Sequence, residues 1–177
     1  MGTKLRKAEL KETPEGIIPQ GQGWYIINMA DARWRKNPKF GWKCDLEGEA
    51  KFPQLGINLR VMEPGQSNCY YHQEEDQEDF LVLSGECVLL VDGEERRLKA
   101  WDFFHCPPGV SHVFVGAGTK PCTVLMVGSR ENGGVFYPVD PVAQKYGASA
   151  AAETDSPETA YSDAPKSEYT RRKWPLA

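Results

Sequence analysis

From Ile57 to Arg130 short β-type runs, some alternating apolar and polar at a period of two and others apolar throughout, are broken by turn residues at regular intervals. Successive side chains on a strand point to opposite faces, so these runs predict β-strands buried on one face or on both. The runs are Ile57–Met62, Tyr70–Glu74, Glu78–Leu83, Cys87–Val91, Arg96–Leu98, Phe103–Cys106, His112–Val115 and Cys122–Val127. Between them fall Pro64-Gly65, Ser84-Gly85, Asp92-Gly93, Pro107-Pro108-Gly109 and Gly116-Ala117-Gly118. Asp92-Gly93 marks a hairpin, because a type I′ turn needs positive φ at both central residues. No helical period separates the strands. The pattern therefore predicts one antiparallel sandwich or barrel and not a βαβ sheet.

The flanks read differently. Residues 1–55 form an N-terminal arm, residues 56–130 the β-barrel, and residues 131–177 a C-terminal extension rich in Pro, Ala, Ser and Thr. Trp24–Ile27, rich in β-formers, predicts a strand added to the sheet. Pro141–Tyr146 predicts a short helix with Asp140 as its N-cap. The segment Ala148–Pro165 has little to bury and is expected to be extended or disordered. Several strands are apolar on both faces: Phe80 and Val82 alternate with Leu81 and Leu83, and Leu89 and Val91 with Val88 and Leu90. One face lines the barrel, so the other must be covered by the arm, the tail or a second subunit. A homodimer is the expectation.

Composition narrows the function classes. A chain of 177 residues suits one domain. With 21 Lys+Arg against 25 Asp+Glu the net charge is −4, which gives no general attraction to nucleic acid. Arg33–Lys43 interleaves five basic residues with Trp34, Phe40 and Trp42, a composition that could stack on single-stranded nucleic acid. Aromatics docked on the barrel with lysines at the rim is the simpler account. There is no run of eighteen apolar residues, and Met1–Lys11 is charged and lacks the apolar core of a secretory signal. Arg6 stands where a myristoylation signal wants Ser or Thr. No membrane partner is expected, and the cytoplasm is the expected location. Cys44, Cys69, Cys87, Cys106 and Cys122 form an odd set without C-x-x-C spacing, so they read as free, buried, small apolar residues.

The most informative segment is Tyr70-Tyr71-His72-Gln73-Glu74-Glu75-Asp76-Gln77-Glu78-Asp79-Phe80. At strand period His72 and Glu74 share a face with Tyr70, and Glu78 shares the inward face of the next strand with Phe80 and Val82. Far downstream, His112 shares a face with Phe114. Two imidazoles and two carboxylates could thus converge inside an apolar wall, where carboxylates stay ionised only beside a compensating cation. One divalent metal would supply it. The competing reading is a solvated acidic face, since five of the six positions from Glu74 to Asp79 are acids. Candidate substrate contacts are Tyr70, Phe80, Phe114 and Arg60. Core packing competes for Tyr70. Arg60 could anchor a substrate carboxylate, although an exposed strand arginine is the commoner outcome. His105 reads as structural or as a partner of a ligand.

The stretch from Pro64-Gly65 to Gly85 resembles the first motif of the cupin family, with His72 at the first histidine, Glu78 at the glutamate and Gly85 at the final glycine. Trp101-Asp102 to His112, with Pro107-Pro108-Gly109, resembles the second motif, whose histidine is His112. Three departures stand out: Glu74 replaces the second metal histidine, Trp101 replaces the glycine that opens the second motif, and its terminal asparagine is missing. The resemblance implies an antiparallel double-stranded β-helix, or jelly-roll barrel, and a metal held by His72, Glu74, Glu78 and His112. Two His and two Glu favour iron, manganese or zinc over copper. It further implies a small-molecule substrate, with dioxygenase chemistry favoured. Metal-dependent isomerisation, decarboxylation or hydrolysis, or non-catalytic small-molecule binding, stand as alternatives.

Overall fold

The computed structural model describes residues 6–173; residues 1–5 of the arm and 174–177 of the extension lie outside the described residues. The arm contributes β1 (Glu9–Thr13), β2 (Gly16–Gln20), β3 (Trp34–Asn37) and β4 (Gly41–Asp45). Eight strands follow: β5 (Leu55–Met62), β6 (Gln73–Glu74), β7 (Glu78–Ser84), β8 (Glu86–Val91), β9 (Glu94–Lys99), β10 (Phe103–Cys106), β11 (His112–Ala117) and β12 (Cys122–Ser129). The extension adds β13 (Val135–Phe136), helices α1 (Pro141–Lys145) and α2 (Pro157–Ala160), and β14 (Glu168–Thr170). No described helix is long and apolar enough to cross a membrane.

All the strand pairs within the sheets are antiparallel. A seven-stranded sheet in the order β10-β7-β12-β5-β4-β3-β14 faces a three-stranded sheet, β11-β8-β9. Their inner faces share one core: Met62, Phe80, Val82, Val124 and Met126 from the first pack against Cys87, Leu89 and Phe114 from the second. This is the antiparallel jelly roll expected from the strand pattern. Local chemistry sets the turns. Asp92 and Gly93 both take positive φ (45° and 76°), the two-residue hairpin that joins β8 to β9 with Val91 opposite Glu94. Gly85 sits at φ 74°, and a Cβ there would lie 2.4 Å from the Pro121 carbonyl oxygen, so this corner accepts only glycine.

The outer faces are covered from within the chain. Ala32, Trp34 and Cys44 of the arm pack on Leu59 and Val61 of β5. On the other sheet, Ala143 and Ala148 of the extension pack on Val88, Leu90, Val113 and Val115. Much of the cover that sequence reasoning shared with a second subunit thus comes from arm and tail. The helix expected at Pro141 forms, and Asp140 Oδ1 accepts from the Ala143 N–H as its N-cap.

Three expectations need correction. Trp24–Ile27 adds no strand: Trp24 makes a single bridge to Lys7, and Ile26 is 80% exposed. The arm's strands in the large sheet are β3 and β4, because Asn37 Oδ1 accepts from the N–H groups of Lys39 and Phe40 and folds the hairpin between them. The segment 148–165 is ordered, not loose. Ala148, Ala150 and Ala160 are buried because small side chains let its backbone approach the barrel closely, and Tyr161 wedges between Phe40, Tyr70 and Tyr137. The strand expected over Tyr70–Glu74 shortens to β6. Tyr71 N–H turns to the Ala148 carbonyl, and the Asn68 side chain, not a ladder carbonyl, accepts from Phe114 N–H.

Candidate metal centre

His72 and His112 are brought together by the backbone. Each donates its N–H to the other's carbonyl (3.2 and 2.8 Å), and this cross-strand pair sets the two imidazole rings 4.9 Å apart. Glu78 opens β7 with its side chain on the inner face, opposite Gly128, which leaves room beside it. One ligand atom from each of His72, Glu78 and His112 falls within a cluster no more than 4.8 Å across. His112 Nε2 and Glu78 Oε2 are 3.3 Å apart.

The far side of each ring is tied down in the same way. His72 Nδ1 lies 2.9 Å from the Tyr70 carbonyl oxygen and His112 Nδ1 3.2 Å from that of Val110. A carbonyl only accepts, so Nδ1 carries the proton in both rings and the neutral form presents an Nε2 lone pair to the cluster. This is how metal-binding histidines are oriented by their outer partners. A cysteine adds to each contact: Cys69 Sγ is 3.6 Å from His72 Nδ1, and Cys106 Sγ is 3.4 Å from His112 Nδ1. All five cysteines are buried and free, but these two touch the site's histidines as well as filling space. Burial pushes the Cys106 thiol up to about 12, with Glu78 adding to it, so it stays protonated and is no soft ligand.

The donor set fits a divalent cation. Glu78 Oε2 is buried and has no hydrogen-bond partner among the described residues. Its nearest polar neighbour, His112 Nε2, offers a lone pair and not a proton in the neutral ring. Two facing lone pairs in a buried site are unfavourable unless a positive charge sits between them. In the metal-free chain burial opposes a charge on His72. The Cys69 sulfur and the carboxylates of Glu74 and Glu78 outweigh that, and its pKa lies well above the ordinary imidazole value. A site that draws a proton onto His72 is one that a cation can occupy in its place.

Glu74 stands apart from this cluster. Its Oε1 is 3.5 Å from His72 Nε2, yet it is not one of the three residues whose donor atoms converge, and its side chain is 35% exposed. It lines a cleft of about 700 Å³ together with Gln73, Pro108, Gly109, Phe136 and Asp155. Tyr137, which sequence reasoning did not single out, stacks on His72 with ring centroids 5.8 Å apart.

The remaining candidates are placed as follows. Phe80 and Phe114 are buried in the core, and Phe80 lies 5.1 Å from the His112 ring. Tyr70 is buried among Phe40 and Tyr161; its hydroxyl donates to Asp163 and accepts from Lys39. His105 is an exposed residue paired with Asp79 at 2.7 Å, and so does not support either metal-site histidine. Arg60 is not the exposed strand arginine. It sits opposite Val124 on the inner face, and its Nε is buried. Odd and even positions of β5 are both covered, so the apolar set Ile57, Leu59 and Val61 takes the arm side and leaves Arg60 inside.

Against known proteins, the family model described as the cupin domain matches residues 58–128. No curated protein sequence matches the chain. Among solved structures, one named as a sugar phosphate isomerase of the cupin superfamily from Silicibacter pomeroyi is 26% identical, with 64% of this chain and 74% of that one covered at a TM-score of 0.50. A protein from Acidithiobacillus ferrooxidans is 27% identical at a TM-score of 0.43, with 47% of this chain covered; the match spans just over half of that protein (54%). An RmlC-like cupin from Shewanella frigidimarina is 22% identical at a TM-score of 0.47, covering 55% of this chain and 83% of that one. The motifs, the jelly roll and the family match agree on a cupin domain over residues 58–128.

Proposed function

We propose that this cupin is a metal-dependent enzyme acting on a small molecule, with His72, Glu78 and His112 holding one divalent ion and Glu74 serving as general base. The observation that carries the reading is the separation of the two glutamates. Glu78 is buried against His112, whereas Glu74 lies outside the cluster on the wall of an open cleft. Iron, manganese or zinc suits two imidazoles and a carboxylate. Such an ion supplies Lewis-acid polarisation of a bound oxygen. The Tyr70 and Val110 carbonyls hold the two rings in one tautomer and so fix where the substrate oxygen must sit. Glu74 then takes a proton from the carbon beside that oxygen and returns it to a neighbouring atom, which is isomerisation. Likeness to the Silicibacter protein named as a sugar phosphate isomerase supports this choice over the other metal-assisted reactions.

Dioxygenase chemistry is the second reading, favoured by one feature: two His and one carboxylate are the ligand set of non-haem iron oxygenases. The homodimer expected from the sequence has a candidate surface in the exposed Trp101 and Phe103 at edge strand β10, and a monomer in light scattering would remove it.

Metal analysis of protein purified without chelator tests the site. Wild type is expected to hold about one equivalent and His112→Ala less than about a tenth. Solvent deuterium exchange into a panel of sugar phosphates, followed by NMR, then tests the base: Glu74→Gln keeps its metal and loses exchange. Equal metal loss in Glu74→Gln would make Glu74 a fourth ligand and end its role as base. Substrate-dependent oxygen uptake by the iron form would favour the second reading.

A further inference from the structure

The inner face of the large sheet changes character between β12 and β3. Val124 and Met126 are apolar, but Arg60 on β5, Lys43 on β4 and Arg35 on β3 lie in register with one another across the next three strands. They open onto a cavity of about 430 Å³, closed on its other sides by Asn68 and Cys69 and by the tail segment Ala164–Ser167. The tail is fastened there by Asn37, whose Nδ2 donates to the Pro165 carbonyl and to Ser167 Oγ. Lys166 also lines the cavity, and none of its lining residues is acidic.

The cations are under-balanced. Among the described residues Asp45 is the one carboxylate paired with them, 2.8 Å from Lys43 Nζ and 3.8 Å from Arg35 Nη2. Arg60 has neither a hydrogen bond nor an ion pair among the described residues, and its Nε is buried without a partner. A half-buried guanidinium whose Nε is shut off from water with nothing to donate to is costly, and native structures rarely keep one without a purpose. Burial and the neighbouring Arg60 also hold the Lys43 amine below its ordinary value, against the pull of Asp45.

We propose that this pocket is an oxyanion-binding site, in which Arg60, Lys43 and Arg35 grip the phosphate or carboxylate group of a small molecule. The planar fork of Arg60 suits two parallel hydrogen bonds to such a group. Ser167 stands beside them in the wall, and the cavity has the volume of a small-molecule site. Cys69 lies in the wall and also reaches His72, so the pocket shares a partition with the triad. The site does not depend on turnover at the triad, and the test is run without metal so that the two stand or fall apart.

The test is thermal unfolding of metal-free full-length protein with inorganic phosphate, succinate or chloride at matched ionic strength. Phosphate or succinate at about 10 mM is expected to raise the midpoint of wild type by about 3 °C or more relative to chloride. Whichever of the two is the stronger identifies the group. Arg60→Met is expected to unfold at no lower temperature than wild type, since it removes an unpaired buried charge, and to lose the shift. If Arg60→Met does not fold, Lys43→Met supplies the same comparison. No shift in wild type with either anion, or an equal shift in wild type and the variant, would overturn the proposal.

Discussion

The two ends of the barrel interior carry opposite electrical errors. At the triad end a buried carboxylate oxygen of Glu78 lies 3.3 Å from His112 Nε2 and has no hydrogen-bond partner among the described residues. At the other, Arg60, Lys43 and Arg35 share a single carboxylate, Asp45. Between them lies an apolar wall: Phe80 and Phe114 pack against the His112 ring, and Val124 stands opposite Arg60. The difference teaches which sign of ligand each end awaits. A buried acceptor without a donor is corrected by a cation, and a buried donor without an acceptor by an anion. The apolar wall keeps the two imbalances from cancelling each other.

The largest effect is expected from breaching that wall. Phe114 is fully buried, with its ring 4.9 Å from Phe80 and edge-on to His112. Phe114→Ala should cost about 3–5 kcal/mol, read as a drop in urea midpoint, because the packed sheets cannot collapse into the space left behind. A cost below about 1 kcal/mol would mean that the wall is not the rigid divider described.

Glu78→Gln sharpens the comparison at the triad end, because it acts in opposite directions on the two states of the site. The amide can donate to His112 Nε2, giving the metal-free protein a hydrogen bond that the carboxylate lacks, worth about 1 kcal/mol. The same change removes the only carboxylate in the cluster and should lower metal affinity about a hundredfold or more. Paired metal titrations and thermal unfolding of the metal-free forms read both. A variant that loses stability without metal would show that Glu78 is held for the fold and not for a cation.

Much of this was legible in the chain, and the misses share a cause. Alternation gave the barrel strands, Asp92-Gly93 its hairpin, and the spacing from His72 to Glu78 and His112 the converging triad. A period of two fixes which residues share a face, but not how far a short, irregular segment carries the second of them. The grouping of Glu74 with the other three rests on that period alone, and metal analysis of Glu74→Gln decides it. Alternation also leaves open which face is inside when both are covered, and so Arg60 stood between a substrate anchor and an exposed strand arginine. The order of the tail rests on alanines, whose close approach to the barrel leaves no hydrophobic signal. One departure from the family pattern was visible and has a measurable consequence: Trp101 stands at φ 75° and is 77% exposed. That backbone region costs most L-residues about 1–2 kcal/mol, and the exposed indole packs little in return. Trp101→Gly is therefore expected to stabilise the protein by about 1 kcal/mol in thermal unfolding, less the extra chain entropy that glycine loses. An unchanged or lowered midpoint would mean that the indole is held by contacts outside this chain.

The smallest effect concerns the counter-charge at the basic end. Burial pushes the Asp45 carboxyl upward, but Lys43, Arg35 and Arg60 more than offset it, and its pKa lies below the ordinary aspartate value. A depressed carboxyl contributes stability that is present above its unfolded pKa, about 3.9, and fades as pH falls through the lower folded value. Wild type should therefore be more stable than Asp45→Asn at pH 7, and the gap should close as the solution is acidified below about pH 4. At neutral pH the same variant leaves the three cations without their internal partner, so phosphate should bind it more tightly than wild type. Lower stability together with tighter anion binding separates a competing counter-charge from a merely structural ion pair. A structural pair would lose stability and leave the anion's affinity where it was.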